Sequence, residues 1–314
     1  MTESLARFTR LFDALRDGRP RPDRQAAAFT AAALVHAEGP EPGLVAATRA
    51  RHDGLKAALG GFRAPNGSMR WVYSAMLAAH DVGVDHFTGA RDALRQARAA
   101  SKTGSLHAGG SRAALILSFG DATPQAIDAF FDMKRALQPP WWRRNTAITD
   151  TFAAAHVLAG SHPAAVLAGR SHAESVFGAD RQARGHRRDG ARQCVLLEQS
   201  PEQVLVRFHE IEAARRAEPA LRRHSDRAMA MDWAAAGRTP ADLAEITRVM
   251  TAMPKGVTSL GHGRTRLATL IAFNDHDRDP ARSANALAAV IAAQAATVAA
   301  ASAASAAAAS AGSN

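Results

Sequence analysis

Three histidines, His186, His224 and His262, stand 38 residues apart, and three arginines beside them, Arg188, Arg227 and Arg266, step by 39. Arginine offers a rigid fork of donors that grips carboxylate or phosphate through paired hydrogen bonds. Histidine adds a group that titrates near neutral pH. The segments carrying them are alike: Arg184-Gly-His-Arg-Arg-Asp-Gly190, Leu221-Arg-Arg-His-Ser-Asp-Arg227 and Ser259-Leu-Gly-His-Gly-Arg-Thr-Arg266. Two earlier segments share the composition. Ser105-Leu-His-Ala-Gly-Gly-Ser-Arg112 contributes His107 and Arg112, and Trp141-Trp-Arg-Arg144 contributes Arg144. Side chains of this kind, recurring at one phase of a repeat, predict a basic rim that binds an anion.

The elements that must position such a rim follow from a second period. Prolines 124, 163, 201, 240 and 280 are 39, 38, 39 and 40 residues apart. Proline is tolerated in the first turn of a helix, where its missing N–H has no intrahelical partner to lose. Apolar residues follow at helical spacing: Ile127, Phe130, Phe131 and Leu137 after Pro124, and Leu243, Ile246, Val249 and Met250 after Pro240. Before each proline lies a second apolar block richer in small residues, such as Ala113-Ala-Leu-Ile-Leu117 or Phe152-Ala-Ala-Ala-His-Val-Leu158. These blocks are apolar around more of their circumference, which assigns them to an inner layer. The expected fold is therefore all-α: repeated helical hairpins of about 38 to 40 residues forming an α-solenoid or α/α-toroid of roughly fifteen helices. An N-terminal capping helix is expected over Leu5, Phe8, Leu11, Phe12 and Leu15. One domain is expected over 1–300, with a frayed Ala/Ser tail over 301–314.

The basic segments fall just before the inner helices. Helix N-termini favour Asp or Glu, so arginine and histidine there run against the dipole, and an anionic ligand would restore the balance. The chain has 314 residues and a net charge of +10; of 39 basic residues only Lys56, Lys102, Lys134 and Lys255 are lysine. At 47% hydrophobic residues the chain is neither disordered nor a disulfide scaffold, and the lone Cys194 fits a reducing cytoplasm. Met1-Thr-Glu-Ser-Leu-Ala-Arg7 has no apolar leader, and the uncharged stretch from Ser283 onward is too poor in large apolar residues for a membrane span.

The expected partners are an anionic small molecule or an acidic protein segment. Nucleic acid is the weaker alternative, resting on Trp141-Trp142-Arg143-Arg144 as a stacking surface beside phosphate contacts. No cofactor motif and no catalytic motif is present. An alternative enzyme reading, a metal-dependent phosphohydrolase, rests on His36, His52 and His80-Asp81. A third is a protein-interaction module without a small ligand.

The amphipathic start Arg7-Phe-Thr-Arg-Leu-Phe-Asp-Ala-Leu15, the Ala-rich helix Arg112-Ala-Ala-Leu-Ile-Leu117 and the uncharged Asn285-Ala-Leu-Ala-Ala-Val-Ile-Ala-Ala-Gln294 resemble the bacterial domain-of-unknown-function family numbered four thousand and three. The resemblance spans nearly the whole chain. It implies an all-helical intracellular bacterial protein and transfers no catalytic residue.

Overall fold

Pro124, Pro163, Pro201 and Pro240 each open a helix. Neighbouring side chains close those ends. Thr123 accepts from the Ala126 N–H, Ser200 from the Gln203 N–H, and the Asp242 carboxylate takes the Thr239 N–H at 2.8 Å.

The computed structural model describes residues 2–60, 65, 67–140, 145–254, 256–257 and 261–273. Pro280, the uncharged stretch from Ser283 and the 301–314 tail lie outside these. Among the described residues there are fifteen α-helices and no strand: α1 (Glu3–Arg16), α2 (Arg24–Leu34), α3 (Glu41–Ala58), α4 (Gly67–Ala79), α5 (Val84–Ser101), α6 (Ser111–Leu117), α7 (Pro124–Leu137), α8 (Thr146–Leu158), α9 (Pro163–Ala179), α10 (Arg187–Leu196), α11 (Pro201–Ala217), α12 (Pro219–His224), α13 (Arg227–Ala235), α14 (Pro240–Ala252) and α15 (Gly261–Ala272). No single one of them is long and apolar enough to cross a membrane.

Two layers follow from composition. The first three inner helices bury nearly every side chain. Ala26 to Leu34 of α2, Trp71 to Ala78 of α4 and Ala113 to Leu117 of α6 are closed to solvent all round. Outer helices bury one stripe, such as Val204, Phe208 and Ile211 of α11. Each outer helix packs on an inner one: α1 on α2, α3 on α4, α5 on α6, α7 on α8, α9 on α10, α11 on α13 and α14 on α15. Outer helices also touch in series, from α1 to α3 and on through α5, α7, α9 and α11 to α14.

The series closes on itself. Helix α15 packs against α2 and α1, and His36 Nε2 lies 3.2 Å from the Leu270 carbonyl oxygen. Of the two architectures the repeat allowed, the closed ring is the one formed. Closure also corrects the role of α1: it packs on α2, α3 and α15 as the outer helix of a complete unit, not as a cap.

Two glycines of the basic segments serve this packing. A Cβ on Gly190 would meet Met231 Sδ at 2.8 Å, so its absence lets α10 approach α13. Gly110, at φ +89°, turns the chain into α6 in a conformation that side chains rarely adopt.

Candidate functional site

The units α7–α8 and α9–α10 leave a cavity of about 680 Å³ between them. The first unit lines it with Leu137, Pro139 and Pro140 beyond the end of α7 and with Asn145, Ile148, Thr149 and Phe152 around the start of α8. The second supplies Arg170 and Glu174 from α9, then Arg184 and Gly185 from the short 3-10 turn Arg184–His186. Arg187, Arg188, Asp189 and Arg192 of α10 complete it. Five arginines and two acidic residues therefore line one space, an excess of three positive charges.

Each carboxylate is engaged by one arginine. Arg170 pairs with Glu174 at 3.6 Å, and Arg192 with Asp189 one helical turn away. Arg184 Nε donates to the Gly178 carbonyl at 3.0 Å. Arg188 is exposed and has no carboxylate partner among the described residues. Burial pulls Arg170 below the ordinary guanidinium range, although Glu174 opposes the shift. Arg192 falls to about 10, through burial first and then through the like charges of Arg170 and Arg188. Partial burial and neighbouring positive charge both disfavour the charged form of these guanidinium groups. At the boundary of the two units the Arg192 guanidinium lies 5.7 Å from the centroid of the Phe152 ring.

Of the nine residues expected to form the rim, the structure brings Arg188 into this cavity. Arg144 lies outside the described residues. The other seven do not line this cavity. The His107 main-chain N–H donates to Asp150 Oδ2 at 2.7 Å, and burial, helped by the Arg112 charge, holds its imidazole down at about 4. Arg112 is half-buried near Tyr73, where its charge opposes the upward shift that burial gives the tyrosine hydroxyl. His186 is half-buried beside cavity residues without lining the cavity itself. His224 gives its carbonyl oxygen to the Thr265 hydroxyl at 2.7 Å. Arg227 Nε donates to Glu212 at 3.1 Å, His262 pairs with Asp226 at 3.4 Å, and Arg266 stands 4.0 Å from Asp232.

Two inner helices do carry an acidic residue at their start, as the helix dipole favours. Asp226 caps α13 by accepting from the Met229 N–H at 2.9 Å, and Asp189 stands in the first turn of α10. Asp150 pairs with Lys134 at 2.7 Å in full burial, so it fastens the loop before α6 to the next unit.

Four arginines and Phe152 were missed by sequence reasoning. Arg184 and Arg187 belong to the basic segment already singled out, and Arg192 follows Arg188 at helical spacing, so those signals were present. Arg170 had none, being a solitary arginine inside an outer helix.

The histidines behind the phosphohydrolase alternative are dispersed. His52 stacks on Trp71 with centroids 4.0 Å apart, His80 stacks on Phe119 at 4.2 Å, and His36 lies at the ring closure. Among the described residues no three His, Cys, Asp or Glu side chains are grouped to hold a metal ion. No family model, no curated protein and no solved structure matches the chain.

Proposed function

We propose that this protein binds a small phosphate- or carboxylate-bearing molecule in the cavity between the α7–α8 and α9–α10 units. One observation carries the reading: five arginines against two carboxylates around a single space, with Arg170 partly buried beside Glu174 and Arg192 partly buried beside the like charges of Arg170 and Arg188. Burying Arg170 and Arg192 near one another costs solvation, and an entering anion relieves that cost. A freely solvated basic surface would have no such cost to relieve. The volume is that of a small-molecule site, which favours a small anion over an acidic protein segment or a nucleic-acid strand.

Binding is favoured over catalysis because the described lining offers no histidine, cysteine or serine, and both of its carboxylates are committed to arginines. A cytoplasmic setting fits Cys194, a buried free thiol.

The test is a titration of the purified protein with phosphate, pyrophosphate and sulfate at low and high salt, followed by thermal unfolding and calorimetry. A ligand at a hundred times its Kd stabilises by about 2.7 kcal/mol, so saturable stabilisation is the expected outcome. A stabilisation cut to about half at the same ligand concentration in Arg188→Ala, as a tenfold weaker Kd gives, would tie it to the cavity. Unchanged melting with every anion at every concentration would refute the reading.

A further inference from the structure

The two sides of the cavity differ in kind. Every charged lining residue comes from α9, α10 or the turn between them, whereas the α7–α8 side is uncharged, presenting Leu137, Pro140, Ile148 and Phe152 together with the polar Asn145 and Thr149. An inorganic anion would use only the charged side. It is also far smaller than a space of about 680 Å³ and gains nothing from an apolar wall.

Resting on the anion-binding reading above, we infer that the ligand is an organic phosphate monoester with a flat apolar body. Its phosphate is held by Arg188 and the neighbouring guanidinium groups, and its body lies against Ile148, Pro140 and Phe152. Phe152 is well placed for this, because it already meets the Arg192 guanidinium where the charged and apolar sides join. The excess of three positive charges matches a phosphate monoester, with a charge of about −2 near neutral pH, better than a lone carboxylate at about −1.

The experiment compares inorganic phosphate, 2-naphthyl phosphate and 2-naphthoate by calorimetry on the full chain. Burying a ring on the apolar side makes naphthyl phosphate at least about tenfold tighter than phosphate. Ile148→Ser, at a partly exposed lining position, weakens naphthyl phosphate by about five- to tenfold and leaves inorganic phosphate unchanged. Pro140→Ser, at an exposed position, provides the same comparison without disturbing the core. If naphthyl phosphate binds no tighter than phosphate, the organic body is refuted while the anion site stands. Naphthoate binding as tightly as naphthyl phosphate overturns the choice of phosphate. If none of the three binds, the anion reading fails and this inference fails with it.

Discussion

The α9–α10 and α11–α13 edges of the ring carry similar basic segments and reach opposite electrostatic ends. Glu174 and Glu212 occupy the same position of their outer helices, 38 residues apart and 11 after the opening proline. Glu212 is 3% exposed and accepts from Arg215, Arg216 and Arg227, while Arg215 adds a bond to the Ser225 carbonyl at 3.0 Å. Glu174 is 31% exposed and holds Arg170 alone. The outer helices explain the contrast. Where α11 has Arg215-Arg216, α9 has Phe177-Gly178; where α9 has Arg170, α11 has Phe208. Exchanging aromatic and guanidinium positions seals one edge around a buried carboxylate and leaves the other open, with its arginines facing a cavity. The outer helix behind a basic loop thus decides whether the loop's charges are neutralised within the fold.

That contrast predicts unequal penalties at equivalent positions. Glu212→Gln leaves three guanidinium groups without their common carboxylate, one of them buried, and is expected to cost about 3–5 kcal/mol. Glu174→Gln breaks a partly exposed pair, is expected to cost no more than about 1 kcal/mol, and should tighten anion binding because the lining becomes more positive. Denaturant unfolding of the two variants measures both. Equal penalties would erase the distinction between the edges.

The two edges are electrostatically joined through Asp232 of α13, which feels both Arg192 and Arg266. Burial raises its carboxyl to about 6, with the Asp226 charge adding to the rise, while Arg266, the Gln193 amide and Arg192 oppose it. A folded pKa above the unfolded value of 3.8 means the native state binds the extra proton. This contribution to stability is complete below about pH 4 and is lost as pH rises through 6. At pH 7 the ionised carboxylate costs roughly 2–3 kcal/mol. With 30% of the side chain open to solvent, screening favours the lower figure. Asp232→Asn keeps an acceptor for Gln193 Nε2, which donates to Oδ1 at 2.8 Å. It should raise the melting temperature at pH 7 and change little at pH 4. A variant no more stable than the parent at pH 7 would show that the arginines fully compensate this burial.

What the sequence disclosed depends on the range of the physics involved. Helix starts at Pro124, Pro163, Pro201 and Pro240 were legible because the constraint on proline is local. The inner and outer layers were legible from how far apolar character extends around each helix. Ring closure was not, since it joins His36 to Leu270 across 234 residues and depends on small rotations summed over every unit. At the site, periodicity found Arg188 but also selected Arg227, whose partner Glu212 lies 15 residues upstream on another helix. Repeat phase places a backbone position; it does not choose the side chain's partner.

Arg188 and Arg227, one repeat apart, offer the finest test of that separation. Arg188 is exposed and faces the cavity, so Arg188→Ala should change stability by less than about 0.5 kcal/mol. The same substitution should weaken phosphate binding about tenfold, the loss expected for one charge-assisted contact. Arg227 shares Glu212 with two other guanidinium groups and keeps 44% of its side chain exposed. Arg227→Ala should therefore cost only about 1 kcal/mol and leave phosphate affinity unchanged. Calorimetry and thermal unfolding on the same two variants give both readings. If the effects were interchanged, with Arg227 controlling affinity and Arg188 controlling stability, the anion site would lie at the edge sealed by Glu212 and the reading of the cavity would be wrong.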